Sequence, residues 1–280
     1  MHAHRNRYRI AMMCRHLNVS KAGYYAWRGR KPSQRRRADA ALLKRIRRIH
    51  KKSRGSYGRP RIYAELRSKG VRVAGARITR LMRAAGIRGK KRNRSKASSS
   101  SPGVLPAAPN LLDRQFNVPR RNQAWVTDIS EFPTKEGWLY LAVVLDCFSR
   151  RVVGFALDKR KDAALALSAL KMALKQRPFD NLLVHSDRGT QFASGDYGRL
   201  LELCGVAPSM SRKANCWDNA VMESFFASIK VELEPEKMWK NRAQARAAIT
   251  DYIQGWYNPK RRHSANGYLS PIQYEKRCVT

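Results

Sequence analysis

Between residues 111 and 234 the apolar positions change repeatedly from continuous runs to helical spacing, which predicts alternating strands and helices. Two continuous runs, 124–132 and 138–147, are typical of strands buried on both faces. A turn and a further apolar run over 151–157 predict a hairpin. Helices are expected at 163–175, 197–204 and 219–233, and short strands at 181–185 and 207–211. The order β-β-β-α-β-α-β-α predicts an α/β domain on a mixed, five-stranded sheet.

Residues 38–89 show a different pattern, in which three short helices follow one another. Apolar residues at helical spacing predict helices over 39–52, 61–69 and 76–85, and glycines end the last two. A helix, a short turn and a second helix with a basic outer face are typical of a helix-turn-helix DNA-binding domain. The candidate DNA contacts are Arg61, Arg77, Arg80 and Arg83. The alternative is a small basic three-helix bundle that reads no base sequence.

Three further segments complete the predicted domain organisation. Residues 1–37 are expected to be a basic helical segment, in which Ser20 is placed to N-cap a second helix. Residues 90–110 join a charge run to a Ser-rich stretch, which predicts a flexible linker before the α/β domain at 111–234. Residues 235–280 are expected to form a helix over 242–256 and a basic tail. In that tail Arg261 and Arg262 are candidate phosphate contacts, with a solvated tail as the alternative.

The charge of the chain is far from balanced. The sequence holds 58 Lys and Arg against 20 Asp and Glu, a net charge of +38. Residues 1–100 contain 32 of the basic residues and only two acids, Asp39 and Glu65. A polyanionic partner is the usual reason for such self-repulsion, because each neutralised phosphate releases a condensed counterion. We therefore expect double-stranded DNA as the partner. A membrane is disfavoured, since no long uncharged apolar run is present.

The cysteines and the N-terminus exclude several other classes of protein. The five cysteines include no C-x-x-C pair, which argues against a structural zinc site and a disulfide framework. The N-terminus is charged and lacks an apolar core, so no signal peptide is expected. A reduced, cytoplasmic setting fits these features.

Three carboxylates stand where an unpaired charge is costly. Asp128 lies inside an apolar strand, Asp187 ends a buried strand, and Glu223 lies in a helix among apolar residues. A buried acid must be neutralised or bound to a cation. Oxygen ligands without nearby His or Cys suit Mg²⁺ or Mn²⁺. Two such ions about 4 Å apart can hold the attacking and leaving oxygens of an in-line phosphoryl displacement.

Each of these acids alone also has an ordinary explanation. An Asp at a strand end is commonly a turn or cap residue, and a Glu in a helix is commonly a surface charge. Their joint context favours catalysis, with 58 residues between the first two acids and 35 between the last two. Asp146, another buried acid, is expected instead to bond to the turn at residues 149–150. Arg188, next to Asp187, is a candidate DNA contact.

The order and spacing of these motifs resemble a known family. The matching stretches are WVTDIS at 125–130, GWLYLAVVLDCFSRRVVGFAL at 137–157, HSDRGTQFAS at 185–194, SMSRKANCWDNAVMESFFASIKVE at 209–232 and YIQGWYNPKRRHSANGYLSPIQYE at 252–275. Residues 13–30 and 53–66 match as well. Over nearly its whole length the chain is similar to the catalytic (OrfB-type) frame of two-frame bacterial insertion-sequence transposases of the IS-three type, in the retroviral-integrase superfamily.

That resemblance implies a ribonuclease-H-like integrase core with Asp128, Asp187 and Glu223 as ligands of two Mg²⁺ or Mn²⁺ ions. It also places a basic residue seven positions after the glutamate. Here this is Lys230, two turns along the same helix face, where it would contact DNA beside the cut. The alternative is an ordinary surface lysine.

The implied reaction cuts one strand at the ends of an insertion sequence and transfers the exposed 3′-hydroxyl to a second phosphodiester. The implied partners are the element's terminal inverted repeats, target DNA and an upstream-frame protein, acting as a fusion or beside this chain in a nucleoid-associated bacterial setting. The resemblance further implies a circular intermediate. Since two DNA ends must be brought together, a homo-oligomer is expected. Two rival functions stay open: a nuclease of the same fold without strand transfer, and a non-enzymatic DNA-binding regulator.

Overall fold

The computed structural model describes residues 1–90, 108–212, 215–233 and 238–278. Its N-terminal part is helical. After a 3₁₀ turn the helices are α1 (Ile10–His16), α2 (Lys21–Gly29), α3 (Gln34–Lys52), α4 (Arg59–Ser68) and α5 (Gly75–Ala84). Ser20 caps α2 by accepting a hydrogen bond from the backbone N–H of Gly23, as predicted. Helix α3 begins before the predicted residue 39, because Ser33 caps it from further upstream.

Helices α3, α4 and α5 pack around one apolar cluster. Its most deeply buried members are Ile46, Ile62, Leu66 and Ile78, which come from all three helices. This arrangement follows from the helical spacing of apolar residues in the sequence. The linker predicted at residues 90–110 lies for the most part outside the described residues.

The sheet of the second domain has the predicted five strands. They are β1 (Ala124–Thr134), β2 (Gly137–Asp146), β3 (Val152–Asp158), β4 (Leu183–Ser186) and β5 (Ala207–Met210), in the order β3-β2-β1-β4-β5. The pairs β1–β2 and β2–β3 are antiparallel, whereas β1–β4 and β4–β5 are parallel. The prediction of a mixed five-stranded sheet is therefore confirmed.

Helices cover both faces of this sheet. Val126 and Val143 face a cluster that includes apolar residues of α8 (Ala220–Leu233) and α9 (Arg242–Asp251). Their neighbours Trp125 and Val144 face the opposite cluster, with α6 (Ala163–Gln176) and α7 (Gly195–Leu203). Because side chains alternate along a strand, continuous apolar runs can supply both clusters.

The C-terminal region differs from its prediction. Helix α9 continues into a π-helical turn (Tyr252–Tyr257) and the short helix α10 (Asn258–Lys260), and α11 (Pro271–Arg277) follows. The alternative of a solvated tail was wrong for Arg261 and Arg262, which are buried. Burial of each guanidinium is possible because it forms an ion pair with a carboxylate, Arg261 with Glu232 and Arg262 with Glu65.

This C-terminal region also joins the two domains. The backbone N–H of Arg262 donates to the Tyr57 hydroxyl at 2.7 Å, and its guanidinium pairs with Glu65 of α4. Trp256 packs against the apolar clusters of both domains. Arg54 forms an ion pair with Asp251 at 2.7 Å. The helical domain is thus docked onto the core through side chains distant in sequence. None of the described helices is both long and apolar enough to cross a bilayer.

Candidate active site

Two neighbouring parallel strands bring Asp128 and Asp187 together. Val126 of β1 is paired with His185 of β4, so the residues two positions further along lie at the same level. Side chains alternate along a strand, and both aspartates therefore point to the face on which Val126 lies. That face is covered by α8, the helix that carries Glu223.

Backbone N–H groups hold both aspartates. The N–H of Ile129 donates to Asp128 Oδ1 at 2.7 Å, and the N–H of Gly189 donates to Asp187 Oδ1 at 2.9 Å. Each carboxylate keeps its second oxygen free of any hydrogen bond described by the structure. Such bonds fix the orientation of a carboxylate and stabilise its charged form.

The electrostatics show how near these acids are to one another. Burial raises the pKa of the Asp128 carboxyl well above its ordinary value, and the charges of Asp187 and Glu223 raise it further. Burial also raises the pKa of Asp187 and of Glu223. A cluster of desolvated like charges is typical of a functional site, because a fold gains no stability from it.

Glu223 is more exposed than the two aspartates and does not lie directly beside them. Its side chain is exposed at the start of α8, although its charge reaches Asp128. Within the described ranges, no three Asp, Glu, His or Cys side chains approach closely enough to enclose a metal ion. The structure thus brings Asp128 and Asp187 together and leaves Glu223 in electrostatic reach, outside a closed ligand set.

A fixed turn precedes the helix that carries Glu223. Asp218, fully buried in the 3₁₀ turn Cys216–Asn219, accepts hydrogen bonds from Arg212, Arg114 and Asn110. The bonds from Arg212 hold the pKa of Asp218 well below its usual range. Asn219, the next residue, donates to the backbone oxygen of Thr127 at 3.4 Å. The start of α8 is thereby tied to β1 beside Asp128.

Lys161 was missed by the sequence analysis. Its ammonium charge lowers the pKa of both Asp128 and Asp187, against the effect of burial. It lies in the loop between β3 and α6 and is exposed. The run of basic residues at 159–161, directly after a predicted strand, was the available signal.

The residues present fit a hard divalent cation. Two adjacent half-buried carboxylates and a nearby glutamate supply oxygen ligands only, which suits Mg²⁺ or Mn²⁺. Their raised pKa values indicate negative charge that the backbone N–H bonds and the charge of Lys161 compensate only in part. A divalent cation would lower those pKa values and offset the repulsion.

Two predicted DNA contacts lie near these acids. Lys230 is exposed on α8, and its Nζ lies 5.8 Å from the centroid of the Phe132 ring. Arg188 is half-buried, and its Nε donates to the backbone oxygen of Ser211 at 2.8 Å. Lys230 is therefore available to a phosphate, whereas part of the Arg188 guanidinium is engaged.

The predicted contacts on α5 lie at the surface of the helical domain. Arg77 and Arg80 share Asp39 of α3 as an ion-pair partner, at 2.7 and 2.6 Å. Arg83 is exposed beside a cleft of about 310 Å³ that Arg59 and Arg88 also line. This surface is basic, as the sequence predicted.

The other three predicted contacts lie at the interface between the domains. Arg261 is buried in an ion pair with Glu232 at 2.7 Å, and Tyr252 and Trp256 donate to the same carboxylate. Arg262 is held by Glu65, as described above. The Arg61 Nε donates to the backbone oxygen of Arg262 at 3.0 Å. The structure favours a structural role for these three arginines, a placement that the local sequence did not predict.

The structure also shows the surroundings of Asp146 and Trp217. Asp146 is fully buried and accepts a hydrogen bond from the Phe148 N–H at 2.9 Å. The side-chain bond thus comes from Phe148 and not from residues 149–150 as predicted, whereas the backbone oxygen of Asp146 accepts from the Arg150 N–H at 2.8 Å. Trp217, next to Asp218 in the turn before α8, is 68% exposed.

Comparison with family models divides the chain into three matched stretches. An HTH-like domain matches residues 36–95. Integrase core domain models match residues 118–216 and 204–271. The stretches that match the integrase core models contain Asp128, Asp187 and Glu223.

Two relatives match nearly the whole chain. The uncharacterized 31 kDa protein of insertion element IS600 from Shigella sonnei is 40% identical, with 95% of this chain and 98% of that protein covered. The transposase InsF for insertion sequence IS3A from Escherichia coli is 39% identical, with 98% and 96% covered. Among solved structures, the HTLV-2 integrase catalytic core domain in complex with magnesium is 19% identical, with a TM-score of 0.44, 55% of this chain and 96% of that chain being covered.

Proposed function

Because this chain belongs to the family of insertion-sequence IS3 transposases, we propose that Asp128, Asp187 and Glu223 are its catalytic acids. The protein is a DDE-type polynucleotidyl transferase that cuts DNA at the ends of an insertion sequence and joins the exposed 3′-hydroxyl to a second phosphodiester. The single observation that supports the assignment is the placement of Asp128 in β1 beside Asp187, which directly follows the adjacent parallel strand β4.

Divalent metal is the cofactor of this class of enzyme, and we assign its binding to the same three residues. Two ions, Mg²⁺ or Mn²⁺, would supply Lewis-acid stabilisation of the charge on the attacking and leaving oxygens. The N–H groups of Ile129 and Gly189 orient the aspartates toward this position. Glu223 completes the set by a small movement of its exposed side chain.

The neighbouring cations are assigned to the DNA strand at the site. Lys230 lies two turns from Glu223 on an exposed face of α8, where it can pair with a phosphate next to the cut. Lys161 offsets the charge of the aspartates before metal is bound. Arg188 keeps the loop after Asp187 in place through its bond to Ser211 and presents its remaining N–H groups to DNA.

DNA binding by the helical domain is assigned to its basic surface. Arg77, Arg80 and Arg83 lie on α5, the second helix of the helix-turn-helix pair, which enters the major groove in such domains. Arg61, Arg261 and Arg262, engaged at the interface between the domains, fix the position of that surface relative to the core.

Four domain units support this function in our proposal: the basic segment 1–37, the DNA-binding domain 38–89, the catalytic core 111–234 and the C-terminal region 235–280. The linker at 90–110 joins the second and third units. Joining two DNA ends requires both to be held at once, so we propose a homo-oligomer on DNA. The upstream-frame protein is proposed as a fusion or partner, and the nucleoid-associated cytoplasm as the setting.

The test is a cleavage and strand-transfer assay on a duplex that contains one end of the element, with Mg²⁺ present. Asp187→Asn is expected to lower cleavage by at least ~10³-fold, because an amide is a poor ligand for Mg²⁺. Its affinity for the same duplex without metal should stay that of the wild type. Glu202→Gln, an exposed acid on α7, is the matched control and should cut normally.

Three outcomes would contradict this proposal. Normal cleavage by Asp187→Asn would exclude it as a metal ligand. Nicked duplex without joined product from the wild-type protein would indicate a nuclease. Unchanged DNA binding and no cleavage by any form of the protein would indicate a regulator.

A further inference from the structure

Helices α1 and α2 form a helix-turn-helix pair of their own. A four-residue turn, 17–20, joins them, and in it Asn18 adopts a left-handed conformation with a φ of 50°. The N–H of Val19 donates to the backbone oxygen of Cys14 at 3.0 Å, which closes the end of α1. The Ser20 hydroxyl then caps α2. A short turn with one left-handed residue and an N-capped second helix is the geometry of this motif.

The pair has a small core of its own. Cys14 of α1 and Tyr24 of α2 are buried, at 3% and 5% exposure. The Tyr24 ring stacks on Trp27 with the centroids 6.2 Å apart. None of the three apolar clusters found in the described residues contains a residue of α1 or α2. Most of the other side chains of α1 and α2 are exposed.

That outer surface is basic and aromatic. Residues 1–38 contain eleven Lys and Arg and no Asp or Glu. Along α2 the residues Lys21, Tyr25 and Arg28 recur at spacings of four and three and are all exposed. Such spacing places them on one face of the helix. Within the described chain no salt bridge involves a residue before Asp39.

We propose that α1 and α2 are a second DNA-binding unit, in which α2 lies in the major groove of double-stranded DNA and presents Lys21, Tyr25 and Arg28. It is separate from the HTH-like domain, which begins at residue 36. The inference rests on the proposed function only in taking duplex DNA as the substrate. Each chain then contacts the duplex at two places outside the catalytic core.

Charge favours DNA over a protein as the occupant of this surface. A face without a single acid repels a second copy of itself, so another molecule of this chain is disfavoured as the occupant. A duplex gains from the same charges, since each phosphate contact releases a counterion. Exposed Lys, Arg and Tyr side chains on a second helix are also the side chains that reach phosphates and base edges.

The test compares two double variants of the full chain with the same loss of charge. K21A/R28A removes both cations from the α2 face, whereas K171A/K175A removes two exposed lysines from α6. Fluorescence anisotropy measures the Kd for a labelled duplex that contains one terminal inverted repeat, over a series of salt concentrations. K21A/R28A is expected to raise the Kd at least tenfold and to lower the salt slope by about two. The control should match the wild type.

Hydroxyl-radical footprinting locates the contact. Wild-type protein should protect two separate blocks of the repeat, and K21A/R28A should lose one block and keep the other. Tyr25→Ala should weaken the same block, with Tyr25→Phe nearer to the wild type. Circular dichroism of each variant should be unchanged, because the substituted side chains are exposed.

A Kd and a footprint equal to those of K171A/K175A would overturn the inference. If such a result came with a lower mass in sedimentation, the pair would be a protein-contact surface instead. Failure of the catalytic assignment would give a different result. Asp187→Asn would then cleave DNA normally, while the loss of one footprint block by K21A/R28A would still be seen.

Discussion

Three aspartates in this protein, Asp128, Asp146 and Asp218, differ in pKa because their surroundings differ. The pKa of Asp218 is held well below its usual range by Arg212 and Arg114. Asp146 accepts backbone N–H bonds from Phe148 and Asn122, although burial raises its pKa to about 6. Asp128 lies beside another carboxylate, which raises its pKa together with burial. Among these three, only Asp128 lies beside a second carboxylate without an arginine partner in the described chain, so its negative charge is available to bind a cation.

Asp218→Asn is expected to destabilise the protein at neutral pH and to lower the Tm by about 5 °C, because two arginine pairs are lost. A depressed pKa stabilises the fold above the unfolded value of about 4, and that stability is lost as pH falls through the folded pKa. Thermal unfolding between pH 7 and pH 3 should therefore show the difference in Tm between the variant and the wild type narrowing below about pH 4, without vanishing at pH 3.

Asp196→Asn is the matched control, since this exposed acid has only a loose pair with Arg199 at 3.7 Å. It should shift the Tm by less than about 1 °C at any pH. A constant difference between Asp218→Asn and the wild type down to pH 3 would contradict the role given to the arginine pairs.

Local sequence identified some of these residues and not others. Asp128 and Asp187 were predicted because each interrupts an apolar run, which is visible within a few residues. The bonds from Asn110 and Arg114 to Asp218 were not predicted, because these partners lie more than a hundred residues earlier in the chain. Lys161 was not predicted, because the two aspartates that it influences lie in other segments. The burial of Arg262 depends on Glu65, almost two hundred residues earlier, and no local pattern encodes that pair.

At the scale of elements, periodicity predicted every strand and most helices within a few residues. The π-helical turn Tyr252–Tyr257 was missed, because it arises where Tyr252 and Trp256 both reach the buried Glu232. Helix α11 was missed although a signal existed. Ser270 and Gln273 form a capping box, which the sequence displays as Ser-x-x-Gln.

The contact between β3 and α6 gives a prediction at this scale. A Cβ on Gly154 would lie 2.2 Å from the backbone oxygen of Ala169, so Gly154→Ala must push the helix off the sheet. We expect a loss of about 3 kcal/mol in the free energy of unfolding. Urea denaturation followed by circular dichroism measures it.

Gly198→Ala is the control, because this exposed glycine of α7 has nothing within 4 Å of its Cβ position. It should stabilise the protein by about 1 kcal/mol through helix propensity. Equal effects of the two substitutions would show that the sheet and α6 do not pack as closely as described.

At the scale of the molecule, the C-terminal region decides how the DNA-binding domain faces the active site. Arg262→Ala removes the partner of Glu65 and of the Ser68 hydroxyl. We expect a cost of about 3 kcal/mol, confined to the interface. Hydrogen exchange in α4 should then become about a hundredfold faster.

Lys260→Ala, an exposed neighbour, should leave exchange in α4 unchanged. Strand transfer by Arg262→Ala should fall more than DNA affinity, because both domains persist while their relative orientation loosens. Unchanged exchange in α4 would show that Arg262 does not hold the domains together.

The shared position of Trp256 between two apolar clusters has a consequence for synthesis. The ribosome makes about 5–20 residues per second, so α3 to α5 leave the exit tunnel well before Trp256 is translated. At that stage the helical domain of a nascent chain can bind nearby DNA, but the C-terminal contacts that orient it relative to Asp128, Asp187 and Glu223 have not yet formed. A product of premature termination would therefore occupy the element's ends without cutting them, and act as an antagonist of the complete protein.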